Sequence, residues 1–224
     1  MYDLSGVILD VDGTLVDSND AHAHAWVQAL AEHGFDVTFA QVRCLIGMGG
    51  DKLIPEVANV AAESAVGKSI SQRRGIIFQQ DYLPSIQPFP QVRELLQRLT
   101  DDGLQLVVAS SAKKNELTAL LEICGADEFI TDKTSADDAE RSKPDPDIVH
   151  AALKGLSEPS HAIMLGDTPY DVAAATAAGI GIVALRCGGW TSSALAGAVA
   201  VYDSPADLLA HYDASPFARQ HVRA

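Results

Sequence analysis

The 224-residue sequence predicts an α/β protein: a doubly wound parallel-sheet (Rossmann-like) core carrying an inserted α-helical cap domain. Three observations lead there. Short apolar runs recur along the chain, and they are continuous rather than alternating, as strands covered on both faces require. Amphipathic helical patterns separate most of these runs. One long stretch, residues 18–88, breaks the alternation with helical patterns alone.

In chain order, the first strand is GVILD (6–10). The interruption follows. AHAHAWVQALAEHG (21–34), FAQVRCLIG (39–47), DKLIPEVANVAAE (51–63) and a run from Ser71 to Leu83 all read as helices. Pro84, Pro88 and Pro90 mark the return, so the chain crosses between the two units at about 15–19 and 84–90. Residues 1–17 and 89–224 are thereby assigned to the core and 18–88 to the cap. VRELLQRLTDDG (92–103) is an amphipathic helix closing on Gly103, and the strand LQLVVAS (104–110) follows it. The helix ELTALLEICG (116–125) closes on Gly125 and leads to EFITD (128–132). PDIVHAALKG (146–155) opens with Pro146 and closes on Gly155, ahead of HAIMLGD (161–167). DVAAATAAG (171–179), GIGIVAL (179–185) and a weaker strand, AVAVYD (198–203), complete the alternation. The tail after about Asp213 reads as weakly ordered, and no internal repeat or low-complexity tract interrupts the pattern.

At 47% hydrophobic and 21% charged residues, the composition is that of a globular protein large enough for one big domain, or a core with a small insert. The net charge of −14 argues against nucleic acid and against anionic membrane surfaces as partners. Cys44, Cys124 and Cys187 are an odd set without Cys-x-x-Cys spacing, which fits free thiols in a reducing cytoplasm. The N-terminus shows no basic segment followed by a long apolar run, so no signal peptide is expected. No apolar stretch reaches the roughly 18 residues of a membrane helix. A cytoplasmic monomer or weak homodimer is the expectation.

In a doubly wound sheet, reactive groups gather beyond the carboxyl ends of the strands. Here GVILD ends at Asp10, with Asp12 and Asp17 close behind; LQLVVAS ends at Ser110; HAIMLGD ends at Asp167, with Asp171 four residues on. Lys143, in RSKPDPD, precedes a helix that leads back towards the sheet. Asp10, Asp12, Asp167 and Asp171 converging on one site would raise each other's pKa, so their joint ionisation calls for a cation. An all-oxygen donor set suits a hard ion such as Mg²⁺.

At these residues the sequence resembles the haloacid dehalogenase superfamily, in its phosphatase branch. Asp10-Val-Asp12-Gly13-Thr14-Leu15 looks like the first motif, Ser110 like the second, Lys143 like the third and Gly166-Asp167-Thr-Pro-Tyr-Asp171 like the fourth. The order is right, and so is the element each falls on. The resemblance implies that Asp10 is a nucleophile forming an aspartyl-phosphate. Asp12 would protonate the leaving alcohol and then activate water. Gly13 lets the chain curl so that both carboxylates face the site. Mg²⁺ would be held by the Asp10 carboxylate, the Asp12 backbone carbonyl, Asp167 and, directly or through water, Asp171. Lys143, Ser110, Ser111 and Gly13 would meet the phosphate.

Other residues read more plainly. Asp17 and Ser18 suggest a hinge and a helix cap. His22 and His24 are two apart on a helix and face different ways, so they make no metal pair. GMGG (47–50) is either a substrate-facing loop or a flexible connection, and GGW (188–190) is a turn. Arg73 and Arg74 read as solvated, although either has the length to reach a substrate's distal group.

Relatives within the superfamily separate on sequence. Dehalogenases and phosphonate-cleaving enzymes lack an acid at the position of Asp12, and the latter use a cap lysine, for which only Lys52 and Lys68 are at hand. The ion pumps carry Asp-Lys-Thr-Gly-Thr, absent here. DSNDAHAHAW and ASSAKKN resemble segments of the β-phosphoglucomutases, yet the cap loop reads Gly49-Gly50-Asp51 where that enzyme has an arginine for the second phosphate. The expectation is a Mg²⁺-dependent phosphatase acting on a small phosphorylated metabolite: a sugar phosphate, phosphoglycolate or similar. A phosphomutase is the alternative, followed by a non-catalytic binding protein.

Overall fold

The computed structural model describes residues 4–218. Six parallel strands form one sheet: β1 (Gly6–Leu9), β2 (Gln105–Ala109), β3 (Ile130–Thr134), β4 (Ala162–Gly166), β5 (Gly181–Leu185) and β6 (Ala200–Tyr202). Their order is β3-β2-β1-β4-β5-β6. Chain direction across the sheet reverses at β1, whose Leu9 stands level with Val108 of β2 and Leu165 of β4. The crevice beyond that reversal point is where such sheets bind ligands.

Alternate strand residues explain the unbroken apolar runs. Val7, Leu9, Leu106, Val108 and Leu165 join one buried cluster, whereas Ile8, Val107, Ala109 and Met164 join a second on the opposite face. α5 (Val92–Asp101) and α6 (Lys114–Cys124) cover the first face, the former through Val92, Leu95, Leu96 and Leu99 and the latter through Leu117, Leu120, Leu121 and Cys124. Both sets have the i, i+3, i+4, i+7 spacing of a single helical stripe. α7 (Asp147–Leu153) and α8 (Pro169–Ala177) cover the second face, and α9 (Pro205–Ala210) returns to the first. β3 departs from expectation. Its central residues Thr131, Asp132 and Lys133 are exposed, because an edge strand is solvated and its charges discourage pairing with another chain.

Between β1 and β2 lie only helices: α1 (Asn19–Glu32), α2 (Phe39–Arg43), α3 (Gly50–Ala58) and α4 (Ala65–Ile77), then a wider turn at Phe78–Tyr82 and a short one at Leu83–Ser85. α3 is shorter than predicted because Asn59 takes a left-handed conformation, φ 53°, and ends it. α4 starts earlier than predicted, since the Ser64 side chain accepts from Gly67 N and caps it. The two crossings run side by side: Asp17 N donates to Gln87 O and Phe89 N to Leu15 O, both at 3.0 Å. The tail is better anchored than expected up to Ala218. Tyr212 and Phe217 are buried in the first cluster, while residues 219–224 lie outside the described region.

Candidate active site

The chain turns sharply after β1. Val11 O accepts from the amides of Thr14, Leu15 and Val16, and Gly13 takes φ +76°. A Cβ on Gly13 would stand 2.3 Å from Asp167 Oδ2, and one on Gly188 only 1.7 Å from the same atom. Glycine at both places therefore makes room for that carboxylate, and at Gly13 it also permits the left-handed backbone.

Asp10, Asp167 and Asp171 come together, with one oxygen from each within 4.8 Å of the others. Lys143 is buried among them: its Nζ is 2.5 Å from Asp10 Oδ1 and 2.8 Å from Asp171 Oδ1. Thr14 Oγ1 lies 3.1 Å from Asp10 Oδ2 and 3.0 Å from Asp167 Oδ1, and its one proton serves one of them at a time. Asn19 Nδ2 donates to Asp167 Oδ2 and to Gly188 O. Asp171 also accepts at Oδ2 from the Thr168 amide and hydroxyl, so the residue that caps α8 belongs to the cluster as well.

One cation against three buried carboxylates leaves the charge unbalanced. Burial, with Asp171 and Asp12 adding to it, pushes Asp10 up to about 7 in spite of Lys143. Burial and the charges of Asp10 and Asp171 push Asp167 well above the usual carboxylate range. Burial disfavours the Lys143 ammonium, but Asp10 and Asp171 outweigh it and keep the group protonated. The donor set is all oxygen, crowded and acidic, and so fits a hard divalent cation.

Asp12 is turned differently. Its Oδ1 accepts from Ser18 Oγ at 2.5 Å and lies 2.7 Å from His22 Nε2, and its carboxylate is outside the group of three. Burial works against its charged form, yet the charge and hydrogen bond of His22 and the hydrogen bond from Ser18 hold it below its ordinary value. Ser18 thus binds Asp12 and makes no side-chain cap on α1, contrary to the sequence expectation. Asp17 is exposed. Ser110 is buried at the end of β2, where its Oγ accepts from Ala112 N; Ser111 Oγ donates to Gly47 O of the GMGG loop. That loop lines a pocket of about 50 Å³ together with Asp10, Asp12 and Ser111.

Several residues in the site were not legible beforehand. Thr14 sits inside the first motif but carried no assigned role. His22 faces inward, stacked on Phe78 with ring centroids 4.0 Å apart, while His24 is exposed; the two-residue spacing separated them without telling which pointed in. Arg74 is not solvated: it is 8% exposed and ion-paired with Glu116, whereas Arg73 does pair at the surface with Glu32. Asn19 and Glu116 offered no signal beyond an early place on a helix. Lys52 is paired with Asp145. Among the described residues no helix is long and apolar enough to cross a membrane.

The sequence profile of the haloacid dehalogenase-like hydrolases matches residues 7–185. A phosphoglycolate phosphatase of Rhodospirillum rubrum is 34% identical over 90% of this chain and 88% of its own. A validoxylamine A 7'-phosphate phosphatase of Streptomyces hygroscopicus is 28% identical over 80% of this chain and 84% of its own. Among solved structures, a hydrolase from Pseudomonas syringae superposes with a TM-score of 0.87 at 29% identity, covering 94% of this chain and 98% of that one.

Proposed function

Because the chain belongs to the haloacid dehalogenase-like hydrolases and is a phosphatase of small phosphorylated substrates, we propose that it cleaves a phosphate monoester in two steps through an aspartyl-phosphate on Asp10. The substrate class is a sugar phosphate, phosphoglycolate or a similar small ester. The observation that carries the reading is the division of labour between two acids two residues apart. Asp10 is clamped by Lys143 in the carboxylate cluster, while Asp12 is held apart by Ser18 and His22 at the same pocket.

In the first step an Asp10 oxygen attacks phosphorus and the bond to the leaving alcohol breaks. Asp12 gives that alcohol its proton. His22 Nε2, 2.7 Å from Asp12 Oδ1, holds that carboxyl in place, and the proton Asp12 takes from water in the second step reloads it for the next turnover. In the second step the Asp12 carboxylate takes a proton from water, which attacks phosphorus and releases Asp10 and phosphate. The lowered pKa of Asp12 suits this role as base. Lys143 presents positive charge and Ser110 a hydroxyl to the phosphate oxygens. Asp10, Asp167 and Asp171, with the backbone carbonyl of Asp12, are the residues that would hold Mg²⁺. Bound there, the ion would keep Asp10 ionised and offset its repulsion from the phosphate. Residues 18–88 act as the cap over this site. The setting is cytoplasmic, a reading supported by the three free cysteines.

The test is to trap the intermediate. Quenching during turnover, followed by borohydride reduction, should convert residue 10 to homoserine, read by peptide mass spectrometry. Asp10→Asn should show no such product and should lose more than about nine-tenths of kcat, a cost above ~1.4 kcal/mol. Retention of activity by that variant would remove Asp10 from the nucleophile's role.

A further inference from the structure

The pocket contains a charged pair that the two steps above leave unused. Arg74 comes from α4 and Glu116 from the first turn of α6. Arg74 Nη1 donates to both Glu116 oxygens, at 3.0 and 2.9 Å, and each side chain is only 10% exposed. The guanidinium also lies over the Trp26 ring, 5.0 Å from its centroid. Both residues line the pocket of about 50 Å³ that holds Asp10 and Asp12, and both line a neighbouring cleft of about 240 Å³. They therefore stand at the border between the reacting centre and the open space between α4 and α6, where the far end of a leaving group would lie. Arg74 is the one Lys or Arg among the described residues lining the inner pocket.

We propose that Glu116 is a specificity-determining residue. By neutralising Arg74 it sets the leaving-group end of the pocket against esters that carry a second negative charge, and favours those whose leaving group is a small neutral alcohol. The proposal rests on the phosphatase reading and narrows its substrate class. A carboxylate or second phosphate arriving at Arg74 meets the Glu116 charge beside it. Displacing Glu116 would leave a buried carboxylate unpaired, which is costly. A hydroxyl meets neither penalty, so the pair acts as a repulsive element against one class and is neutral towards the other. Arg74 Nε is buried with no partner among the described residues, which leaves one donor of the guanidinium unspent.

Two esters that differ in little but this charge make the test: 2-phosphoglycolate and 2-hydroxyethyl phosphate. The wild-type enzyme should show the higher kcat/KM on the neutral ester. Glu116→Gln should move the ratio towards 2-phosphoglycolate by about tenfold or more, the factor that corresponds to ~1.4 kcal/mol. Glu116→Asp, which keeps the charge, should restore the wild-type preference. Adding Arg74→Met to Glu116→Gln should abolish the gain, because the gain needs the unmasked cation. A wild-type preference for 2-phosphoglycolate, or a Glu116→Gln variant that loses both activities equally, would overturn the proposal. The wild-type ratio decides even where a variant fails to fold. Calorimetric affinities of both esters for Asp10→Asn, with and without Glu116→Gln, separate the two claims. If neither ester is hydrolysed, the affinity ratio still tests Glu116, while trapping of residue 10 by borohydride tests the phosphatase reading separately.

Discussion

Replacing Lys143 with Met should make stability fall steeply with rising pH in the absence of metal. Lys143 is 1% exposed and touches both Asp10 and Asp171. Removing one partner of a buried ion pair costs about 3–5 kcal/mol. For a chain of this size each kcal/mol lowers the melting temperature by roughly 2–4 °C, so the full penalty is a drop of about 6–20 °C. Asp10 can escape part of it by taking up a proton. Asp10 already sits near 7 against an ordinary 3.8, with Lys143 lowering it, and loss of the lysine raises it further. A carboxyl whose folded pKa is raised binds its proton more tightly folded than unfolded. Stability is therefore lost as pH climbs from the unfolded pKa through the folded one. The variant should melt close to wild type near about pH 5 and well below it by about pH 8, as followed by circular dichroism in EDTA. Mg²⁺ should recover part of the loss, since an ion held by these carboxylates would bind the folded state alone. A variant within about 2 °C of wild type at the higher pH, or a deficit that does not grow with pH, would refute the charge argument.

Three further outcomes follow from the same geometry. Gly188→Ala places a Cβ where Asp167 Oδ2 now lies, 1.7 Å away, and should weaken the Mg²⁺ requirement curve by about 10–100-fold, measured by titrating activity with the metal. Activity should vanish in EDTA and return with Mg²⁺, whereas Ca²⁺, with its looser coordination, should bind and inhibit; full activity after exhaustive chelation would contradict the reading of the carboxylates. β-Glucose 1-phosphate with a bisphosphate primer should yield mainly free phosphate, because Glu116 occupies the cation that would otherwise grip a second phosphate. Glucose 6-phosphate forming about tenfold faster than phosphate, read in a coupled assay, would favour the mutase instead.

The sequence by itself determined the alternation of strands and helices, the helical interruption between the first two strands, and the family. These are local, one-dimensional signals. Apolar runs long enough for a strand, glycines after helices and an Asp-x-Asp-Gly-Thr turn survive whatever the rest of the chain does. It also placed Asp10, Ser110 and Asp167 at strand ends, and a parallel sheet necessarily brings such ends to one edge. The tertiary structure alone decided which polar groups meet across elements. Asn19 reaches Asp167 over 148 residues, and Arg74 reaches Glu116 over 42. His22 and His24 have the same local sequence character, but only packing against Phe78 turns the first inward to Asp12. Ser18 carried the sequence signature of a cap, yet a carboxylate six residues back outcompeted the helix amides for its hydroxyl. In each case the outcome depends on where α1 and α4 lie relative to the residues beyond the strand ends. Docking is set by the summed burial of many side chains, so no single residue announces its partner.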